Sequence, residues 1–121
     1  MQKKTILVVE DDAAMAEVME LILSEEPGYS IHLVSDPREA LQLAQRIQPD
    51  LFVLDYLLAH MNGIELYDRL HVSQGLENVP AIITSASLLM HKSLLDQRHL
   101  IGLEKPFDLE VLLETIKQML A

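Results

Sequence analysis

The sequence contains no cysteine and no tryptophan, and only 4 glycines in 121 residues. Without cysteine there is no disulfide scaffold, no thiolate zinc site and no thiol nucleophile. Gly28, Gly63, Gly75 and Gly102 are too sparse for a Gly-rich dinucleotide fingerprint or a phosphate-binding P-loop. Basic residues are few as well: 9 Lys and Arg stand against 19 Asp and Glu, a formal charge of −10. That balance argues against gripping a nucleic-acid backbone or an anionic membrane by charge. No apolar run approaches the roughly 18 residues of a membrane span, and residues 1–10 lack a signal-peptide pattern. The expectation is one cytoplasmic domain over residues 1–121, with half its residues hydrophobic and able to form a core.

What is present is an alternation of short apolar runs and helix-period segments. Thr5–Val9 is continuous and β-branched, the pattern of a strand buried on both faces. Met15, Val18, Met19, Ile22 and Leu23 then make an amphipathic stripe that Pro27-Gly28 closes. Tyr29–Val34 reads as a second strand, and Asp36-Pro37 supplies a cap and a first-turn proline for the next helix. Leu51–Leu54 is a third strand, Asn62-Gly63 opens a third helix, and Val79–Ile83 reads as a fourth strand. Leu88–Arg98 is helix-like but poorly patterned. Leu100–Leu103 is a short fifth strand, and Asp108 opens a last helix with its stripe on Leu109, Leu112, Leu113, Ile116 and Leu120. Five such units predict an α/β fold: a doubly wound, five-stranded parallel sheet with helices on both faces and an irregular fourth helix. Its ligand site is then expected off the carboxyl ends of the strands, where strand order reverses.

Those ends carry Glu10-Asp11-Asp12, Asp55, Thr84-Ser85-Ala86 and Lys105-Pro106-Phe107. Three carboxylates brought together repel strongly, and a hard divalent cation such as Mg²⁺ relieves this. One carboxylate can then act as a nucleophile toward a phosphoryl group, with metal, lysine and hydroxyl carrying the developing charge. Asp12 has a simpler role as the cap of the first helix. Ser85 alone would be a turn hydroxyl and Lys105 alone a surface lysine; position is what gives them significance. The five histidines show no metal-ligand spacing.

Ile6–Asp12, Asp50–Asp55, Met61-Asn62-Gly63, Val79–Ala86 and Lys105-Pro106-Phe107, in this order and spacing, resemble the receiver domains of two-component response regulators over essentially the whole chain. The resemblance implies a flavodoxin-like (βα)5 fold like that of the single-domain chemotaxis regulators. It implies that Asp55 accepts a phosphoryl group from a sensor histidine kinase or phosphotransfer protein. It further implies that Glu10, Asp11, Asp55 and the backbone carbonyl of Leu57 hold Mg²⁺. Ser85 matches the family's switch hydroxyl, and Lys105 the lysine that reaches the phosphoryl oxygen, its bond to Pro106 being cis in the family. Thr84, one position early, should point into the core.

Three departures stand beside these matches. Ala59 replaces the usual loop proline, Gly102 replaces the usual aromatic three residues before Lys105, and the stretch between Ser85 and Lys105 is short. Together with the apolar run Leu88-Leu89-Met90, Gly102 marks an expected output surface toward an effector domain or a second copy; the alternative is that the run caps the core. No nucleic-acid or membrane contact is expected of this domain, nor a turnover substrate. A receiver-like interaction domain working without phosphorylation is the second reading. A haloacid-dehalogenase-like phosphatase would need a second Asp where Leu57 stands. Ala121 closes the last helix, so the chain is either free-standing or part of a longer protein.

Overall fold

The computed structural model describes residues 2–121. Five strands, β1 (Lys4–Val9), β2 (Tyr29–Val34), β3 (Leu51–Asp55), β4 (Ala81–Ser85) and β5 (Ile101–Glu104), pair in parallel in the order β2-β1-β3-β4-β5. The helices are α1 (Ala13–Leu23), α2 (Pro37–Ile47), α3 (Gly63–His71), α4 (Lys92–Gln97) and α5 (Leu109–Met119). The chain runs outward from β1 to β2 and then returns to the other side of β1 for β3, so the order reverses between β1 and β3.

Strand alternation divides the core into two layers. Leu7, Val9, Phe52, Leu54 and Ile83 face α2, α3 and Leu95 of α4. Ile6, Val8, Leu51, Val53 and Ile82 face α1 and α5 through Met19, Leu23, Leu112 and Ile116. Because both faces are covered, the inner strands need apolar residues at successive positions, which is why they read as unbroken runs.

Several boundaries differ from the sequence reading, each for a local reason. β4 starts at Ala81, not Val79: the Val79 N–H bonds the Leu76 carbonyl in a turn, and Pro80, which lacks an N–H, contributes only its carbonyl to Phe52. β5 starts at Ile101 because the Leu100 N–H is taken by Leu95 at the end of α4. α1 stops at Leu23, where Ser24, Glu25 and Glu26 close it with turn bonds before Pro27 is reached. The helix-like stretch Leu88–Arg98 is two pieces, a 3-10 turn (Leu88–His91) and the six-residue α4. Asp12 and Asp36 cap α1 and α2 through their side chains, and Asn62 and Glu65 form a reciprocal box at the start of α3. Asp108 sits at the cap of α5 but serves it through its backbone carbonyl.

No helix is long and apolar enough to cross a membrane among the described residues.

Candidate functional site

The cleft lies at the carboxyl ends of the strands, on the line between β1 and β3 where the order reverses. Its cavity is about 360 Å³ and is lined by Asp11, Asp12, Asp55, Tyr56, Leu57, Ser85, Ala86, Ser87, His91 and Lys105. Asp55 is the last residue of β3 and only 6% exposed. The residue that follows it is fixed at both ends: the Tyr56 N–H donates to the Thr84 carbonyl at 2.8 Å, and the Gly63 N–H donates to the Tyr56 carbonyl at 2.9 Å. A Cβ at Gly63 would lie 2.4 Å from the Asp55 carbonyl oxygen, so only glycine lets α3 begin this close to the strand end.

Glu10, 2% exposed, lies behind the cavity wall. Its Oε1 accepts from Lys105 Nζ at 3.0 Å and its Oε2 from the Asp12 N–H at 3.1 Å. Lys105 Nζ also lies 3.2 Å from Asp55 Oδ1. Burial pushes the Glu10 carboxyl above the usual carboxylate range, against the hydrogen bonds from Lys105 and Asp12, while the nearby Asp55 adds to the rise. Burial alone would lower the Lys105 pKa, but its hydrogen bond to Glu10 and the charge of Asp55 outweigh that and hold it above the ordinary lysine value. Lys105 is placed by β5: its N–H donates to the Ser85 carbonyl at 2.8 Å, and the Lys105–Pro106 peptide is cis. Ser85 is buried at the end of β4, its Oγ accepting the Ser87 N–H at 3.0 Å. Thr84 is buried too, one position earlier in the strand.

Glu10, Asp11 and Asp55 each offer a carboxylate oxygen, and the three lie within 4.8 Å of one another. An all-oxygen, all-acid donor set with one shared ammonium suits a hard divalent cation such as Mg²⁺. The fold thus gathers every sequence-predicted site residue of this group, and Leu57 lines the same cavity.

The other expected cluster divides. Leu88 packs against the core, while Leu89 and Met90 are 81% and 82% exposed. A Cβ on Gly102 would meet Leu88 Cδ1 at 2.4 Å and Leu95 Cδ1 at 3.0 Å, so the two leucines fill the space beside the glycine. They border a second, larger hollow of about 470 Å³ that also touches Leu89, Lys92, Asp96, Leu100 and Glu104. Leu88 therefore lies over the core, and its two neighbours face solvent. Sequence reasoning passed over His91, which lines the cleft and stacks on Tyr56 with ring centroids 3.8 Å apart and planes at 21°. No spacing in the sequence signals that pairing, because it crosses from the β3–α3 loop to the 3-10 turn.

The family model for the response regulator receiver domain matches residues 6–117. The chain is similar to the response regulator MprA of Mycobacterium leprae, 37% identical over 117 residues, covering 95% of this chain and 50% of that protein. The curated relatives it matches extend well beyond it, for the chain spans between 35% and 50% of their length. Among solved structures, the receiver domain of the Pseudomonas aeruginosa sensor histidine kinase PA1611, with a magnesium ion coordinated in its active-site cleft, superposes with a TM-score of 0.83 at 25% identity, covering 97% of each chain. The chemotaxis response regulator CheY4 of Vibrio cholerae shares the fold, with a TM-score of 0.87 at 24% identity over 98% of this chain and 99% of that one.

Proposed function

The chain belongs to the response regulator receiver domain family, and on that footing we propose that Asp55 is its phosphoacceptor. The observation that carries the proposal is a buried carboxylate at a strand end, facing two further acids and one lysine in an open cleft. A buried carboxylate is costly without a cationic partner, and Lys105 alone is shared here between Asp55 and Glu10. In the reaction an Asp55 carboxylate oxygen attacks the phosphorus of a phosphohistidine. The P–N bond breaks, and the imidazole leaves with the electron pair. Lys105, already 3.2 Å from Asp55 Oδ1, holds a phosphoryl oxygen, and the Ser85 hydroxyl binds another once it turns from Ser87. Glu10, Asp11, Asp55 and the Leu57 carbonyl are the groups that would hold Mg²⁺, which when bound offsets the charge of the phosphoryl oxygens. The donor is a sensor histidine kinase or phosphotransfer protein. The protein acts on itself and has no turnover substrate. Leu89 and Met90, beside Leu88 and Gly102, are the surface through which the phosphorylated state is read by an effector domain or a second copy.

Incubation with acetyl phosphate and Mg²⁺, read by intact mass, tests this. The expected result is one phosphoryl adduct in the wild type and none in Asp55→Asn. No adduct from acetyl phosphate or phosphoramidate favours the second reading, an interaction domain working without phosphorylation. The observation on that side is Gly102, where no aromatic ring is available to couple to Ser85.

A further inference from the structure

The Tyr56–His91 stack is used by nothing in the chemistry above, yet both rings line the acceptor cleft. Tyr56 directly follows Asp55, and its backbone is pinned at both its N–H and its carbonyl. His91 ends the 3-10 turn, a segment with no fully buried residue of its own. The short α4 that follows buries only Leu95. His91 occupies the position before α4 without capping it through its side chain, so its ring is committed to the stack and not to the helix end. The two rings thus join a rigid wall beside the acceptor to a weakly anchored one.

We infer that His91, through its stack on Tyr56, is a positioning residue that sets how long a phosphoryl group stays on Asp55. The inference rests on Asp55 being the phosphoacceptor. Loss of the group is hydrolysis: a water oxygen attacks phosphorus and the P–O bond to Asp55 breaks. The carboxylate leaves with the electron pair, and the two water protons remain on the released phosphate. The attacking water must enter through the same cleft that the stacked rings narrow. With the stack in place, the wall carrying Ser87 and His91 stays against Tyr56. Without it, Leu88 still holds the start of the 3-10 turn on the core, but its His91 end is free to move outward and admit water.

The test is the half-life of the phosphorylated protein after acetyl phosphate is removed, read by intact mass with Mg²⁺ present. His91→Ala is expected to shorten the half-life by about three- to tenfold, the range set by the energy of a stacked aromatic pair. Tyr56→Leu, which removes the same contact from the other side, is expected to shorten it in the same direction. His91→Phe restores a flat ring and is expected to return the half-life to within about twofold of wild type. A wild-type half-life in His91→Ala or in Tyr56→Leu overturns the inference, as does a His91→Phe protein that decays as fast as His91→Ala. If the wild type itself takes no phosphoryl group from acetyl phosphate or phosphoramidate, the acceptor reading fails, and this inference fails with it. A merely structural role would lower the melting temperature in His91→Ala without the rescue by phenylalanine.

Discussion

The Lys105 ammonium lies 3.2 Å from Asp55 Oδ1 and 3.0 Å from Glu10 Oε1, so one cation from the end of β5 serves carboxylates from β3 and β1. Glu10 is the deeper partner and depends on it more, with a side chain 2% exposed against 21% for Lys105. Lys105→Met strands that buried acid. The expected loss is about 1–3 kcal/mol in urea unfolding without divalent cations, at or below the cost of breaking a fully buried pair. Adding Glu10→Gln to Lys105→Met is expected to recover part of it, because the acid left without a cation is then gone.

Glu10 also predicts a pH dependence. Its carboxyl is raised above 4.5, chiefly by burial, so the folded protein holds that proton more tightly than the unfolded chain does. The stability this contributes is complete below the unfolded value and is lost as pH rises through the folded one. At pH 7 without divalent cations, Glu10→Gln is therefore expected to raise the melting temperature. Near pH 4 the gain should shrink toward zero. Thermal melts at the two pH values check the sign.

Two glycines that both refuse a Cβ at 2.4 Å should behave differently. At Gly63 the obstacle is the Asp55 backbone carbonyl, which cannot move without shifting the acceptor. Gly63→Ala is expected to cost about 2–3 kcal/mol and to slow phosphorylation. At Gly102 the obstacle is the tip of Leu88, a flexible side chain with exposed neighbours, so Gly102→Ala is expected to cost less than about 1 kcal/mol. Urea unfolding of the two variants gives the comparison directly.

The exposed pair Leu89 and Met90 separates stability from communication. Leu89→Glu and Met90→Glu are expected to change unfolding free energy by no more than about 0.5 kcal/mol, since neither side chain is buried. If these residues carry the output, Leu89→Glu loses any self-association or partner binding that the wild type gains with a phosphoryl analogue. Sedimentation of both proteins, with and without the analogue, measures this. Identical masses and unchanged partner binding would remove the pair from the output surface.

The site was legible before the fold because its residues follow strands whose apolar runs are unmistakable. Asp55 closes Leu51–Leu54, and Glu10 and Asp11 follow Val9, so strand ends located the acids directly. The buried inner strands and the side-chain caps at Asp12 and Asp36 are legible for the same reason: their signals are local. The region from Ser85 to Lys105 is not. Its order rests on long-range contacts, with Leu88 over Gly102, His91 on Tyr56, and Arg98 gripping Asp68 by two hydrogen bonds at 2.7 and 2.9 Å. None of these leaves a period in the sequence. The edge strand β5 begins one residue later than its apolar run suggests for a similar reason, since its first backbone bond is decided by where α4 ends.

The sheet order gives the cleft unequal jaws. The strands leading into Glu10, Asp11 and Asp55 are interior ones, each bonded to neighbours on both sides and covered on both faces. Lys105 hangs from an edge strand joined to the sheet along one side by four residue pairs. The acidic jaw is thus an anvil and the basic jaw a lever. Motion at the cleft that preserves the core has to travel along the β4–β5 margin, and a force applied at that margin arrives first at the lysine.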